Sequence, residues 1–204
     1  MKRLKYVLFS SLALLAFTSC RHDTNNDTTT TETKVNVEKP TKLETLADLN
    51  NVILYSLDNT YLVKVSTTIK DSGTTVYSIE KNITIDDTET KSGSCVTYTS
   101  SLDSTFSLSK DTKVDSFENL DVKSLFSCNL NESYLSSTSI SITSVTYNVK
   151  ASNAKDYFKD EDALSDTDVK VVIAVNDFKM TSISYSYTYQ SKTISSTTTY
   201  SYLA

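Results

Sequence analysis

Few side chains in this sequence are equipped for covalent or acid–base chemistry, and their positions limit what they can do. The only histidine is His22. It sits in HDTNNDTTTTETK, where no apolar neighbours could build the dry, ordered pocket that a Ser–His or Cys–His pair needs. The two glycines, Gly73 and Gly93, are isolated from each other, so no glycine-rich phosphate cradle can form. No GxSxG, HExxH or dinucleotide fingerprint occurs. The acidic run DEDALSDTD holds Asp160, Glu161, Asp162, Asp166 and Asp168, oxygen ligands that could converge on a hard cation. It lacks the glycine of a sharp calcium loop and matches no EF-hand spacing, so it reads as a solvated acidic loop. Glycosidic cleavage by paired carboxylates, here or at Asp86 and Asp87, depends on a separation that spacing alone does not give.

Three cysteines remain: Cys20, Cys95 and Cys128. With Cys20 otherwise engaged, Cys95 and Cys128 form an even pair. Outside the cytoplasm a bridge between them would close a loop of about 30 residues, worth ~3–4 kcal/mol in the chain-entropy model. The other reading is two separate buried thiols packed as small hydrophobes. Two sulfurs without a third and fourth ligand do not make a zinc site. The expectation from these residues is no catalytic group, no metal and no cofactor: a non-catalytic binding role, not an enzyme.

Tyrosine is the most distinctive remaining type, with 13 in the chain. Tyr185, Tyr187 and Tyr189 alternate in ISYSYTY, and Tyr200 and Tyr202 alternate near the end. On a hairpin they could share one aromatic face. Such a face could line an apolar ligand pocket with hydroxyls at its rim, or dock a partner. Tyrosine at strand period also packs simply as core.

The chain opens MKRLK, continues YVLFSSLALLAF and reaches TSC. Cations, an apolar stretch of roughly a dozen residues and small residues follow one another as in a secretory signal peptide. A spanning helix needs about 20 apolar residues, so this stretch is too short to remain as an anchor. FTSC resembles the lipobox of bacterial lipoproteins, with Phe17 where leucine is usual. That resemblance implies cleavage before Cys20 and a diacylglycerol thioether on Cys20. Two or three acyl chains at ~0.8 kcal/mol per buried methylene hold a protein stably on a membrane. It implies a lipid-anchored protein on the extracytoplasmic side of the cell membrane or outer membrane. Residues 1–19 are then the signal peptide and 20–39 the lipidated cysteine and a polar tether.

Removing residues 1–19 takes away three cations and no acid, which leaves a net charge of about −8. Without a basic stripe, nucleic acid and anionic lipid headgroups are poor partners. Ser and Thr make up roughly 30% of the chain. With so little glycine, turns must fall on Asn, Asp and Ser.

Residues 40–204 read as one domain. Thr41 and Glu44 form a capping-box pattern before Leu43, Leu46, Leu49, Val52, Ile53 and Leu57, which predicts an amphipathic helix. Tyr61 to Ile69 alternates, Asp71-Ser72-Gly73 turns, and Tyr77 to Ile85 alternates again, a hairpin. Cys95–Leu102 and Thr105–Ser109 read as short strands, and Asp115–Phe126 as a second short helix. Within Ser139–Lys150 the apolar parity slips, which predicts a bulge near Thr143-Ser144. Ser152–Asp162 is a weak helix or loop. Val169–Val175 is a strand, Asn176-Asp177 a tight turn, and a closing hairpin follows. The fold class is α+β, mainly β: a curved antiparallel sheet or half-barrel packed on an N-terminal helix with short inserted helices. This element order weakly resembles the periplasmic lipoprotein carriers and LppX-like half-barrels. That resemblance implies a lipid or apolar small molecule held between sheet and helix. The other expectation is a structural or interaction lipoprotein with a solid core and a protein-docking surface.

Overall fold

The computed structural model describes residues 37–103, 107–126, 128, 130–158 and 164–202. Helix α1, Leu46–Asn59, begins where a capping box closes, but one turn later than the sequence pattern predicts. Thr45 caps it: its Oγ1 accepts the Asp48 N–H at 3.1 Å, while Asp48 Oδ2 accepts the Thr45 N–H at 3.0 Å. Asp48 wins over Glu44 because its shorter side chain also accepts the Glu44 N–H at 3.1 Å. Leu49, Val52, Ile53 and Leu57 are buried on one face. Each contributes roughly 1.5–3 kcal/mol of apolar transfer. Ser56 is fully buried on the same face; its hydroxyl donates to Val52 O and accepts the Met180 N–H at 2.7 Å, fastening the helix to the sheet. At the other end Lys91 Nζ donates to Asp58 O at 2.8 Å, a cation at the negative pole of the helix.

Burial alone would push the Asp48 carboxyl up, but the hydrogen bonds from Glu44 and Thr45 and the nearby Lys42 ammonium outweigh it and hold it below the usual carboxylate range. A depressed carboxylate stabilises the fold above its unfolded pKa and loses that effect as pH falls through the folded value. Asp48→Ala is therefore expected to lower the melting temperature at neutral pH, with the gap to wild type narrowing toward pH ~2. Thermal melts across that range check it; a gap that stays constant would refute the assignment.

Among the described residues the chain then builds nine strands: β1 Thr60–Asp71, β2 Thr74–Asp87, β3 Ser92–Leu102, β4 Leu108–Phe117, β5 Leu135–Ser141, β6 Ser144–Val149, β7 Val169–Asn176, β8 Lys179–Tyr189 and β9 Lys192–Tyr202. They form one curved, unclosed antiparallel sheet in the order β4-β3-β2-β1-β9-β8-β7-β6-β5. The expected class is what the chain adopts. The first and last strands meet at the centre, where Val63 stands opposite Tyr200 and Ile69 opposite Ile194. Two meanders thus flank one long-range seam. Alternation sends Val63, Val65, Ile69, Ile79, Ile83 and Ile85 to the face beneath the helices, and they are buried. Short helical pieces cap that face: α2, Ala154–Phe158, and single turns of 3-10 helix including Val122–Leu125.

Four local expectations are corrected. Asp115–Phe117 ends β4 instead of opening a helix, because its backbone is claimed by pairing with β3; only Val122–Leu125 turns helically. The parity slip at Thr143 is a two-residue hairpin turn between β5 and β6, with Ser141 opposite Ser144. The next tight turn is Asp177-Phe178, one residue beyond the expected pair. Of the strand expected at Thr105–Ser109, residues 105–106 lie outside the described residues; β4 takes in Leu108 and Ser109 and runs on to Phe117. Three hairpin turns place both central residues at positive φ: Ser72-Gly73, Asp177-Phe178 and Gln190-Ser191. That hand matches the strand twist, and with one glycine among six positions Ser, Asp, Gln and even Phe adopt it.

Candidate functional site

The lipid attachment site at Cys20 and almost all of the polar segment behind it lie outside the described residues. The tyrosines of the closing hairpin are placed by β8 and β9, and they lie on the inner face as alternation requires. They do not form one group. Antiparallel register sets Tyr185 opposite Ser196, Tyr187 opposite Ile194 and Tyr189 opposite Lys192. Tyr200 sits farther along β9, beside Val63. Tyr185 and Tyr187 stack at 6.4 Å between centroids, and Phe158 from α2 covers them at 4.4 and 6.0 Å. Tyr157 meets Phe158 edge-on at 4.8 Å and Tyr147 of β6 at 6.0 Å. Tyr147 shows its inner-face parity with Val145 and Val149, but Tyr157 and Phe158 come from a five-residue helix with no readable period.

The hydroxyls of this cluster are engaged. Tyr147 and Tyr157 hydrogen-bond each other, Tyr200 Oη donates to Leu125 O at 2.9 Å, and Tyr202 Oη donates to Met180 O. At the sheet's end Tyr189 Oη accepts from Gln190 Nε2. Burial, first of all, pushes the phenols of Tyr147, Tyr157 and Tyr200 well up, and that of Tyr202 up to about 12. They are neutral donors and acceptors at physiological pH. Leu49, Val52, Val145, Tyr147, Tyr157 and Met180 fill the space between sheet and helices, each at most 1% exposed.

The disulfide is corrected. Cys95 and Cys128 are buried thiols that do not bridge. Cys128 is held by the tyrosine cluster, its sulfur hydrogen-bonded to the Tyr157 side chain. In the acidic run, Asp160, Glu161 and Asp162 lie outside the described residues. Asp166 accepts the Gln190 N–H at 3.0 Å; Asp168 accepts the Ser136 hydroxyl at 2.7 Å and the Ala151 N–H at 3.1 Å. Those carboxylates tie loops to the sheet. Among the described residues no group of three or more His, Cys, Asp and Glu could hold a metal ion, and no helix is long and apolar enough to cross a membrane.

A second feature, not anticipated from the sequence, lies on the outer face. The even-numbered residues of β3 and β4 point away from the core, with Val96 opposite Val114, Tyr98 opposite Thr112 and Leu102 opposite Leu108. Tyr98, Leu108 and Val114 are 46, 60 and 67% exposed; among the described residues the only other large hydrophobic so exposed is Ile142. The rest of the outer face is mostly Ser and Thr, as in the row Ser66, Thr197 and Ser184. β4 is also the sheet's last strand. The Asp103 N–H donates to Ser107 O at 3.1 Å, which makes the odd residues of β4 the ones bonded to β3. Its even residues, from Leu108 to Ser116, aim their N–H and C=O groups at the open side. Lys113 and Asp115 pair at 2.9 Å on the inner side, an exposed contact worth little by itself. An alternating strand with exposed apolar side chains and an available edge was hidden because SLSKDTKVDSF reads as a polar loop.

No protein-family model matches the chain. No curated protein matches it either. Among solved structures it is similar to the dehydratase domain from the CurK module of curacin polyketide synthase, at 10% identity and TM-score 0.23 over 79% of this chain and 82% of that one. Two inactive mutants of that dehydratase match over the same shares at 9% identity, with TM-scores of 0.22 and 0.18. The blanket exclusion of enzymes drawn from the sequence is corrected by these neighbours, which are dehydratases. At such TM-scores the likeness assigns no activity to this chain.

Proposed function

We propose that the chain is a lipid-anchored extracytoplasmic protein whose domain works as a contact module, presenting the outer face of the β3–β4 hairpin to a partner protein. The anchor reading is supported by MKRLK, the short apolar stretch and FTSC ending at Cys20. The observation that carries the contact reading is the gathering of Tyr98, Leu108 and Val114 on one outer face while the interior is packed with tyrosines. Exposed apolar side chains concentrated in this way mark interaction sites. The open curve of the sheet favours a second reading, an apolar or lipid-like ligand held against the concave face beside α1.

The test has two arms. Cys20→Ala is expected to leave precursor or to release the protein from membranes; unchanged membrane attachment and mobility would sink the anchor. A photoreactive side chain at Tyr98 is expected to give defined protein adducts in intact cells, and one at the exposed Thr197 on the same face none. Equal labelling at both positions removes the contact surface. A lipid retained in the native mass and lost on denaturation would move the assignment to the second reading.

A further inference from the structure

We infer that the partner at this surface is a second copy of the chain, joined edge to edge through β4 in a two-fold antiparallel pair. The inference names the partner of the contact surface proposed above and rests on that reading.

The argument is one of register. Because the even residues of β4 carry the outward N–H and C=O groups, any antiparallel β4–β4 pair must match even residues with even ones. The odd residues, Asp111, Lys113 and Asp115, then face their counterparts on the inner side. Two-fold symmetry reduces the choices to a few centres. Centring on Asp111 sets Asp111 against itself, and centring on Lys113 sets Lys113 against itself and Asp111 against Asp115. Like charges directly opposite are destabilising. Centring on Thr112 sets Asp111 opposite the partner's Lys113 and Lys113 opposite the partner's Asp111, two equivalent ion pairs. Centring on Val114 would pair Lys113 with Asp115 across the seam, but it shortens the overlap to Asp111–Phe117 and leaves Leu108 and Lys110 unmatched.

The Thr112 centre also serves the outer face. It places Lys110 opposite the partner's Val114, so the aliphatic stem of each lysine covers an exposed valine while the ammonium stays in water. Thr112 meets its own copy, flanked by both Tyr98 rings. The overlap runs from Leu108 to Ser116, the whole of the exposed strand. Sheet edges are commonly protected by a row of one charge. Here the signs alternate as Lys110, Asp111, Lys113 and Asp115, which repels the registers centred on Asp111 and on Lys113, and the longer overlap favours Thr112 over Val114. A symmetric, self-complementary patch is what an isologous dimer requires. The opposite edge, β5, carries no charge in LSSTSIS and has no comparable code.

The experiment uses the full chain in membranes. Thr112→Cys puts two thiols at an axial pair about 5.5 Å apart between Cα atoms, within disulfide reach. Mild oxidation is expected to give a homodimer as the main species, with Thr197→Cys at least about tenfold less. Asp111→Lys and Lys113→Asp, each added singly to Thr112→Cys, are expected to cut cross-linking about tenfold, and the two together to restore it. Restoration has no explanation in mere misfolding. Absence of the Thr112 dimer overturns the inference, and so does failure of the double swap to rescue. If Tyr98 adducts then contain another protein, the contact surface survives with a different partner; if there are none, both fall.

Discussion

Gly93→Val is expected to destabilise the protein by about 4 kcal/mol or more, enough to unfold much of a domain whose total stability is ~5–15 kcal/mol. Gly93 lies in β3 between Ile85 of β2 and Phe117 of β4, where the β2–β3 register shifts. A Cβ there would fall 1.9 Å from Thr84 O, 2.9 Å from Thr84 C and 3.1 Å from Ile85 Cα. These are backbone atoms in the middle of a sheet, so no rotamer change relieves the clash; β2 and β3 must separate. Even Gly93→Ala meets the same oxygen. Gly73 supplies the contrast. It has φ +85° with nothing within 4 Å of a built Cβ, so Gly73→Ala costs only the left-handed backbone penalty, roughly 1 kcal/mol. Urea unfolding of both variants tests the pair. Similar midpoints for Gly73→Ala and Gly93→Ala would refute the close approach. Separation of β3 from β2 would also detach the β3–β4 hairpin that carries the outer contact surface, so Tyr98 adducts should vanish with Gly93→Val.

The contrast marks what the residues announced and what they hid. Gly73 stands in Asp-Ser-Gly between two alternating runs, a local code that names its turn. Gly93 stands in KSGSC, where nothing local says that another strand's carbonyl will come within contact of it. The same divide runs through the fold. Strands β1, β2, β7, β8 and β9 alternate over a buried face for most of their length, so their period is written in Val63, Ile83, Ile173, Ile183 and Ile194. β4 is an edge strand with nearly every residue exposed, so it has no apolar period; its strand character comes from its partner. The break at Ile142-Thr143 was visible as a parity slip, but a bulge and a two-residue turn both shift parity by one, and only pairing distinguishes them. At the capping box the pattern fitted both Thr41/Glu44 and Thr45/Asp48, and hydrogen-bond reach favoured the shorter acid. The tyrosine stripe was legible as a shared face, whereas its division into two groups depends on the β8–β9 register. Phe158, the ring that joins Tyr185 to Tyr157, sits in too short a helix to declare itself.

That junction carries the second large effect. Tyr157→Ala is expected to cost roughly 3–5 kcal/mol, because the ring is fully buried against Tyr147 and Phe158 and leaves a cavity under α2. Tyr157→Phe keeps the ring and removes only the hydroxyl, leaving the Tyr147 hydroxyl buried without its partner, at about 1–3 kcal/mol. Removing both hydroxyls, in Tyr147→Phe with Tyr157→Phe, should cost less than the sum of the single changes, since neither hydroxyl is left without the other and only the weakly bonding Cys128 thiol loses a partner. Additive costs would show that the two hydroxyls do not interact. The same groups fix the alkaline limb. Burial raises the phenols of Tyr147, Tyr157 and Tyr200, so the fold favours their neutral form. Their contribution is complete below the unfolded tyrosine pKa of about 10 and is lost as pH rises toward the folded values. Stability should therefore fall above that pH, with the phenolate absorbance of these tyrosines appearing together with unfolding. In the double phenylalanine variant two of the three groups are gone, and the alkaline fall should flatten. An unchanged slope would place the responsible phenol elsewhere, at Tyr202, which burial also raises, to about 12.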